Sequence, residues 1–169
     1  MIEDEEKPSI GSSRNAARAL LKKCQITSAP IYLKDIIRYL HQHYPLRVVG
    51  WSFGSGPDGI QVMIGDEAAI GYNKDTHWHR QRFTVAHEIG HFFLGHTRPS
   101  SPSLPGQNTP WETEAYKFAA ELLMPLAFLK EDIKRGTTTV GELARKYLVS
   151  EQAMWIRVKE CRLLSLITK

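Results

Sequence analysis

Residues 82–96 read RFTVAHEIGHFFLGH and set His87 and His91 four positions apart, with Glu88 directly after the first. This run constrains the fold most, because its polar groups can act together only if a helix carries them. On an α-helix, positions four apart lie about 40° apart around the axis and roughly 6 Å along it, so both imidazoles can turn toward one point. Phe83, Ala86, Ile89 and Gly90 supply small or apolar neighbours suited to a buried site. The spacing predicts a helix from about His79 to Leu94 or His96. In this H-E-x-x-H arrangement the two imidazoles hold zinc and the glutamate, Glu88, serves as general base toward the attacking water.

A catalytic zinc site ordinarily takes three protein ligands. His96 follows His91 by only five residues, and Leu94 stands where the longer histidine motif requires glycine, so that motif is excluded. The stretch TRPSSPSLPGQNTP, residues 97–110, holds four of the nine prolines and ends the helix. Thr109 and Glu112 then form a T-x-x-E capping signature with Pro110 at the first helical position, opening a helix that runs to the break at Pro125. It offers Glu112, Glu114 and Glu121. Glu114 and Glu121 are seven apart and share a face, Glu112 lies on another, and spacing alone does not rank Glu114 over Glu121.

The remainder reads as a small α+β protein. At 169 residues, with 42% hydrophobic and 24% charged residues, the chain can bury one core and carry a small appendage. No apolar run reaches the roughly 18 residues of a membrane span, and the acidic start MIEDEEKPSIGSS lacks a secretory signature, so a cytoplasmic location is expected. Cys24 and Cys161 cannot build a disulfide framework or a cysteine-rich zinc site. The net charge of +4 is too small to argue nucleic-acid binding. A leader over 1–13 precedes helical patterns at Asn15–Lys23 and from Ile31, the second opened by Pro30. A strand from Leu46 and a hairpin of Ile60–Ile64 with Ala68–Tyr72 make a small three-stranded sheet. Further helices cover LAFLKEDIKR, a second T-x-x-E signature at Thr139 and Glu142, and a last segment capped by Ser150.

The runs RQRFTVAHEIGHFFLGH and ETEAYKFAAELLMP together resemble the ImmA/IrrE family of zinc-dependent metallopeptidases, over roughly residues 15–165. The resemblance implies a zincin-like domain, taken as 14–135, with a helix-turn-helix-like segment at 136–169 packed on it. It maps the third metal ligand onto Glu114, beside His87 and His91, and leaves Glu121 structural. It implies zinc as cofactor, with manganese or iron(II) acceptable to the same donors. The implied substrate is a protein, a helix-turn-helix transcriptional repressor that is cleaved, or inactivated by binding, to relieve repression. An extended substrate would lie along an edge strand, for which Ala68–Asn73 is the candidate.

The C-terminal stretch TVGELARKYLVSEQAMWIRVKECRLL has a helix-turn-helix outline, which makes DNA binding through 139–162 a rival reading. Against it, the second helix opens on Glu151 and Gln152, Leu148 replaces the usual turn glycine, and Arg157, Lys159 and Arg162 read as a solvated face. His77 and His79 are candidates for the cleft wall, and His96 is expected outside the metal shell. Trp51, Trp78, Trp111 and Trp155 read as core or interface residues.

Overall fold

The computed structural model describes residues 8–96 and 109–168. Residues 1–7 of the expected leader and the proline-rich loop over 97–108 lie outside them. The first helix, α1 (Ile10–Lys23), starts inside the segment read as leader, and it buries Ser13, Ala17, Leu20 and Leu21 along one face. The second helix also begins later than expected: α2 runs Leu33–His43, opening three residues beyond Pro30, and it buries Leu33, Ile36 and Leu40. Among the described residues the remaining elements are β1 (Leu46–Trp51), β2 (Gly59–Ile64), β3 (Glu67–Asn73), α3 (Trp78–Phe93), α4 (Pro110–Leu123), α5 (Leu126–Lys134), α6 (Val140–Tyr147), α7 (Glu151–Glu160) and a short 3-10 helix, Leu164–Leu166.

The chain is thus mostly helical with one three-stranded sheet, as the pattern predicts. The strand order is β1-β3-β2. β3 pairs parallel with β1, Leu46 opposite Ala68, and antiparallel with β2, Gly59 opposite Tyr72. Ala68–Asn73 is therefore the central strand, and the expectation that it forms an edge is corrected: both its sides are occupied. The hairpin partner β2 is the outer strand on the side facing α3.

The core lies between the sheet, α3, α4 and the flanking helices, around Ile36, Leu40, Leu46, Ile70, Ile89, Phe118 and Leu122. α3 approaches α4 closely because Gly90 has no side chain: a Cβ there would sit 3.1 Å from the Phe118 ring and 3.2 Å from the Ala115 backbone. A residue three before Ala115 shares its face, so this contact turns Glu112 toward α3.

The C-terminal helices are tied to the rest. Arg157 is buried, donating to the Met124 carbonyl and pairing with Glu121, which also accepts from Arg18. The Arg82 guanidinium reaches the Leu148 and Ile31 carbonyls, and the Tyr147 hydroxyl donates to Asp132. Arg157 is accordingly an interior cation and not part of a solvated face. α7 turns it inward because Met154 and Val158, three before and one after it, are buried as well. Leu148 takes the left-handed conformation at the end of α6, φ 57°, filling the position where glycine was expected. Trp51, Trp78, Trp111 and Trp155 are exposed to solvent over a third or more of their surface, which removes the core half of the core-or-interface expectation. Among the described residues no helix is long and apolar enough to cross a membrane.

Candidate metal centre

α3 carries His87, Glu88 and His91 as the motif predicts. His87 Nε2 and His91 Nε2 lie 3.1 Å apart. The group that closes on them is the Glu112 carboxylate, 3.0 Å from His87 Nε2 and 3.1 Å from His91 Nε2. Among the described residues these three form the group that could hold a metal ion.

Glu114, the expected third ligand, sits elsewhere. Its carboxylate accepts from His96 Nε2 at 2.8 Å and from the Ser9 backbone N–H. The reason is helical phase: Glu114 shares a face with Glu121, which meets Arg18 of α1, whereas Glu112 shares the face of Ala115 and points at α3. Thr109 still caps α4, accepting from the Glu112 N–H at 3.3 Å. The Glu112 side chain, read from sequence as the returning half of a capping box, is engaged with the histidines. At Thr139 the same signature does close, with the Glu142 carboxylate returning to the Thr139 N–H.

His96 stands behind His91, with Nδ1 facing Nδ1 at 3.0 Å. Burial lowers the His96 pKa, and the Glu114 carboxylate opposes that shift. Burial would raise the Glu112 carboxyl, but the hydrogen bonds and charge of His87 and His91 outweigh it and hold the group at about 2. Glu88 is 7% exposed, and burial pushes its carboxyl above the usual range, against the opposing influence of His87 and His91. Its Oε2 has no hydrogen-bond partner among the described residues.

His87, Glu88 and Glu112 open onto a cleft of about 200 Å³ whose other lining residues are Asp58, Gly59, Phe83, Thr84 and Tyr116. Asn73 braces the loop that leads to it. The Asn73 carboxamide oxygen accepts from the Phe53 and Asp75 N–H groups, and its nitrogen donates to the Gly54 carbonyl, fixing the loop that delivers Asp58 and Gly59. Arg80 pairs with Asp58 at 2.7 Å. His77 and His79 do not line this cleft; they face a neighbouring groove with Arg80, Phe83 and Ser150. Asn73, Gly59 and Tyr116 were not singled out from sequence, and only the glycine that opens a strand carried any signal.

The donor set fits a divalent cation. Bonds of about 2.0–2.1 Å to a tetrahedral zinc place neighbouring donor atoms roughly 3.3 Å apart, close to the separations found here. Three converging donor atoms, two of them imidazole nitrogens that face each other, suit a shared ion better than a shared proton. Glu88 lines the same pocket, and its Oε2 is buried without a hydrogen-bond partner among the described residues.

No curated protein matches the sequence significantly. The IrrE N-terminal-like domain profile matches residues 56–159, narrower than the resemblance read from the motifs but spanning β2 through nearly all of α7 and every residue of this centre. The match covers more than half of the chain, which therefore belongs to the Peptidase_M78 family of metal-dependent peptidases.

Proposed function

We propose that this chain hydrolyses a peptide bond in a helix-turn-helix transcriptional repressor in the cytoplasm, with one zinc ion held by His87, His91 and Glu112 and with Glu88 as general base. The observation that carries the reading is the meeting of three donor atoms beside a buried, unpartnered carboxylate oxygen in one cleft. On this reading residues 14–135 form a zincin-like unit, and 136–169 is a helix-turn-helix-like appendage anchored to it. A bound zinc ion supplies polarisation of the scissile carbonyl and acidifies the attacking water toward neutral pH. Manganese or iron(II) suits the same donors, because availability as well as affinity decides occupancy.

The protein's own groups then divide the remaining work. Glu88, raised in pKa by burial, accepts the proton of the attacking water at near-neutral pH and delivers it to the leaving amine. Glu112, held ionised, keeps negative charge beside the two imidazoles. The outer edge of β2 leads through Gly59 into the cleft, so an extended substrate segment can add to the sheet there and bring its backbone past Glu88. DNA binding through 139–162 loses support, since Arg157 is committed to the interior.

The test uses the zinc-loaded chain and the purified repressor encoded beside its gene, with products read by mass spectrometry. Wild type is expected to cut the repressor, and Glu88→Gln to bind the same zinc yet leave it intact. Relief of repression by Glu88→Gln equal to wild type would instead establish inactivation by binding and remove the peptidase role.

A further inference from the structure

We propose that His96 and Glu114 form an orienting arm that fixes the tautomer and ring plane of His91, anchored at the N-terminal cap of α1. The inference rests on the metal-centre reading above and adds two positioning residues to it. If His91 offers Nε2 to a cation, its proton must sit on Nδ1. That N–H then donates to His96 Nδ1, 3.0 Å away. The remaining His96 proton is thereby forced onto Nε2, where it donates to the Glu114 carboxylate at 2.8 Å. The other Glu114 oxygen accepts from the Ser9 backbone N–H, the residue that caps α1. Every proton along the arm has one place to be, and its direction runs from ligand to carboxylate.

The backbone builds this arrangement. After α3 ends, Gly95 turns the chain at φ 72°, and the His96 N–H returns to the His91 carbonyl at 3.0 Å. That reversal lays the His96 ring behind the His91 ring instead of continuing outward. The Trp111 indole lies nearly parallel to the His96 ring, 6° between planes and 5.3 Å between centroids, which holds the ring's plane. His91 and His96 are both buried, so water does not compete readily for these bonds. Partners that orient a ligating histidine in this way typically contribute 10- to 100-fold in metal affinity.

The two nitrogens of His96 do different jobs, and this separates orientation from packing. His96→Asn places an amide oxygen near the position of Nδ1 and keeps an acceptor for His91. His96→Gln reaches toward Glu114 and leaves His91 without one. Zinc affinity of the full chain, measured by competition with a chromophoric chelator, should fall about 10- to 100-fold for His96→Gln and no more than about 3-fold for His96→Asn. The metal-free melting temperatures should not follow that order. Glu114→Gln, close in shape, should weaken zinc about 3- to 10-fold and carries the test if a His96 variant fails to fold. Equal losses for both His96 variants, losses that track metal-free stability, or wild-type affinity in His96→Gln and Glu114→Gln would overturn the arm while leaving the centre intact. A wild-type chain that binds no zinc would overturn the centre, and the arm with it.

Discussion

Replacing Gly59 with alanine puts a methyl group into the space where β2 meets α3. An added Cβ would lie 2.5 Å from Thr84 Cγ2, 2.9 Å from Glu88 Oε1 and 3.2 Å from Glu88 Cγ. Carbon atoms in good contact stand about 3.5–4.0 Å apart, so roughly 1 Å must be found by moving α3, β2 or both. Overpacking of this kind costs about 1–3 kcal/mol. The smaller backbone entropy loss of alanine returns about 0.5–1 kcal/mol. The middle of each range leaves a net loss of about 1 kcal/mol, a melting temperature lower by about 2–4 °C in a chain of this size. Urea denaturation should show a lower midpoint at unchanged slope. Thr84→Ser removes Cγ2, the nearest obstructing atom, so the double variant should recover about 1 kcal/mol relative to additivity. The Glu88 oxygen remains in the way and turns aside, and cleavage should therefore stay impaired even as stability returns. Wild-type stability in Gly59→Ala, or strict additivity in the pair, would refute this account of how β2 presses on Glu88.

Two further perturbations address the frame of the site. Arg157→Met leaves Glu121 buried with only the half-exposed Arg18 as cation, and thermal or urea unfolding should register a loss of about 3–5 kcal/mol; an unchanged midpoint would mean that α7 is not anchored through this pair. Burial lifts the Cys24 thiol to about 11, above the ordinary thiol range. The reactive thiolate is therefore scarce near neutrality, and alkylation of Cys24 should be slow at pH 8 and rise about tenfold per pH unit until near 11. The same shift makes the folded state hold its proton longer, so this group's contribution to stability declines as pH rises from about 9 through 11. Rapid labelling at pH 8, followed by peptide mapping, would contradict the burial of that side chain.

The parts of the structure written in local sequence were legible. The H-E-x-x-H helix, the β2–β3 hairpin and the start of α4 each follow from period, turn residues or a cap that acts within a few positions. What the sequence left open depends on which surfaces meet. Two T-x-x-E signatures are alike on paper, yet Glu142 closes its box and Glu112 is engaged with His87 and His91. The difference comes from Gly90, which lets α4 lie against α3 with the Ala115 face inward. The spacing rule separated Glu112 from Glu114 correctly but could not say which face turns toward the histidines. Strand order was hidden for the same reason, because the parallel pairing of β1 with β3 joins segments that no turn connects. Arg157 looked solvated because a cation next to Lys159 normally is; its partner Glu121 lies 36 positions away.

The most direct test of the metal centre is anomalous diffraction at the zinc edge from a crystal of the full chain grown with zinc. The account predicts a single peak bounded by His87 Nε2, His91 Nε2 and the Glu112 carboxylate, with Glu114 still on His96. A peak ligated by Glu114, or no peak between the two imidazoles at saturating zinc, would contradict it.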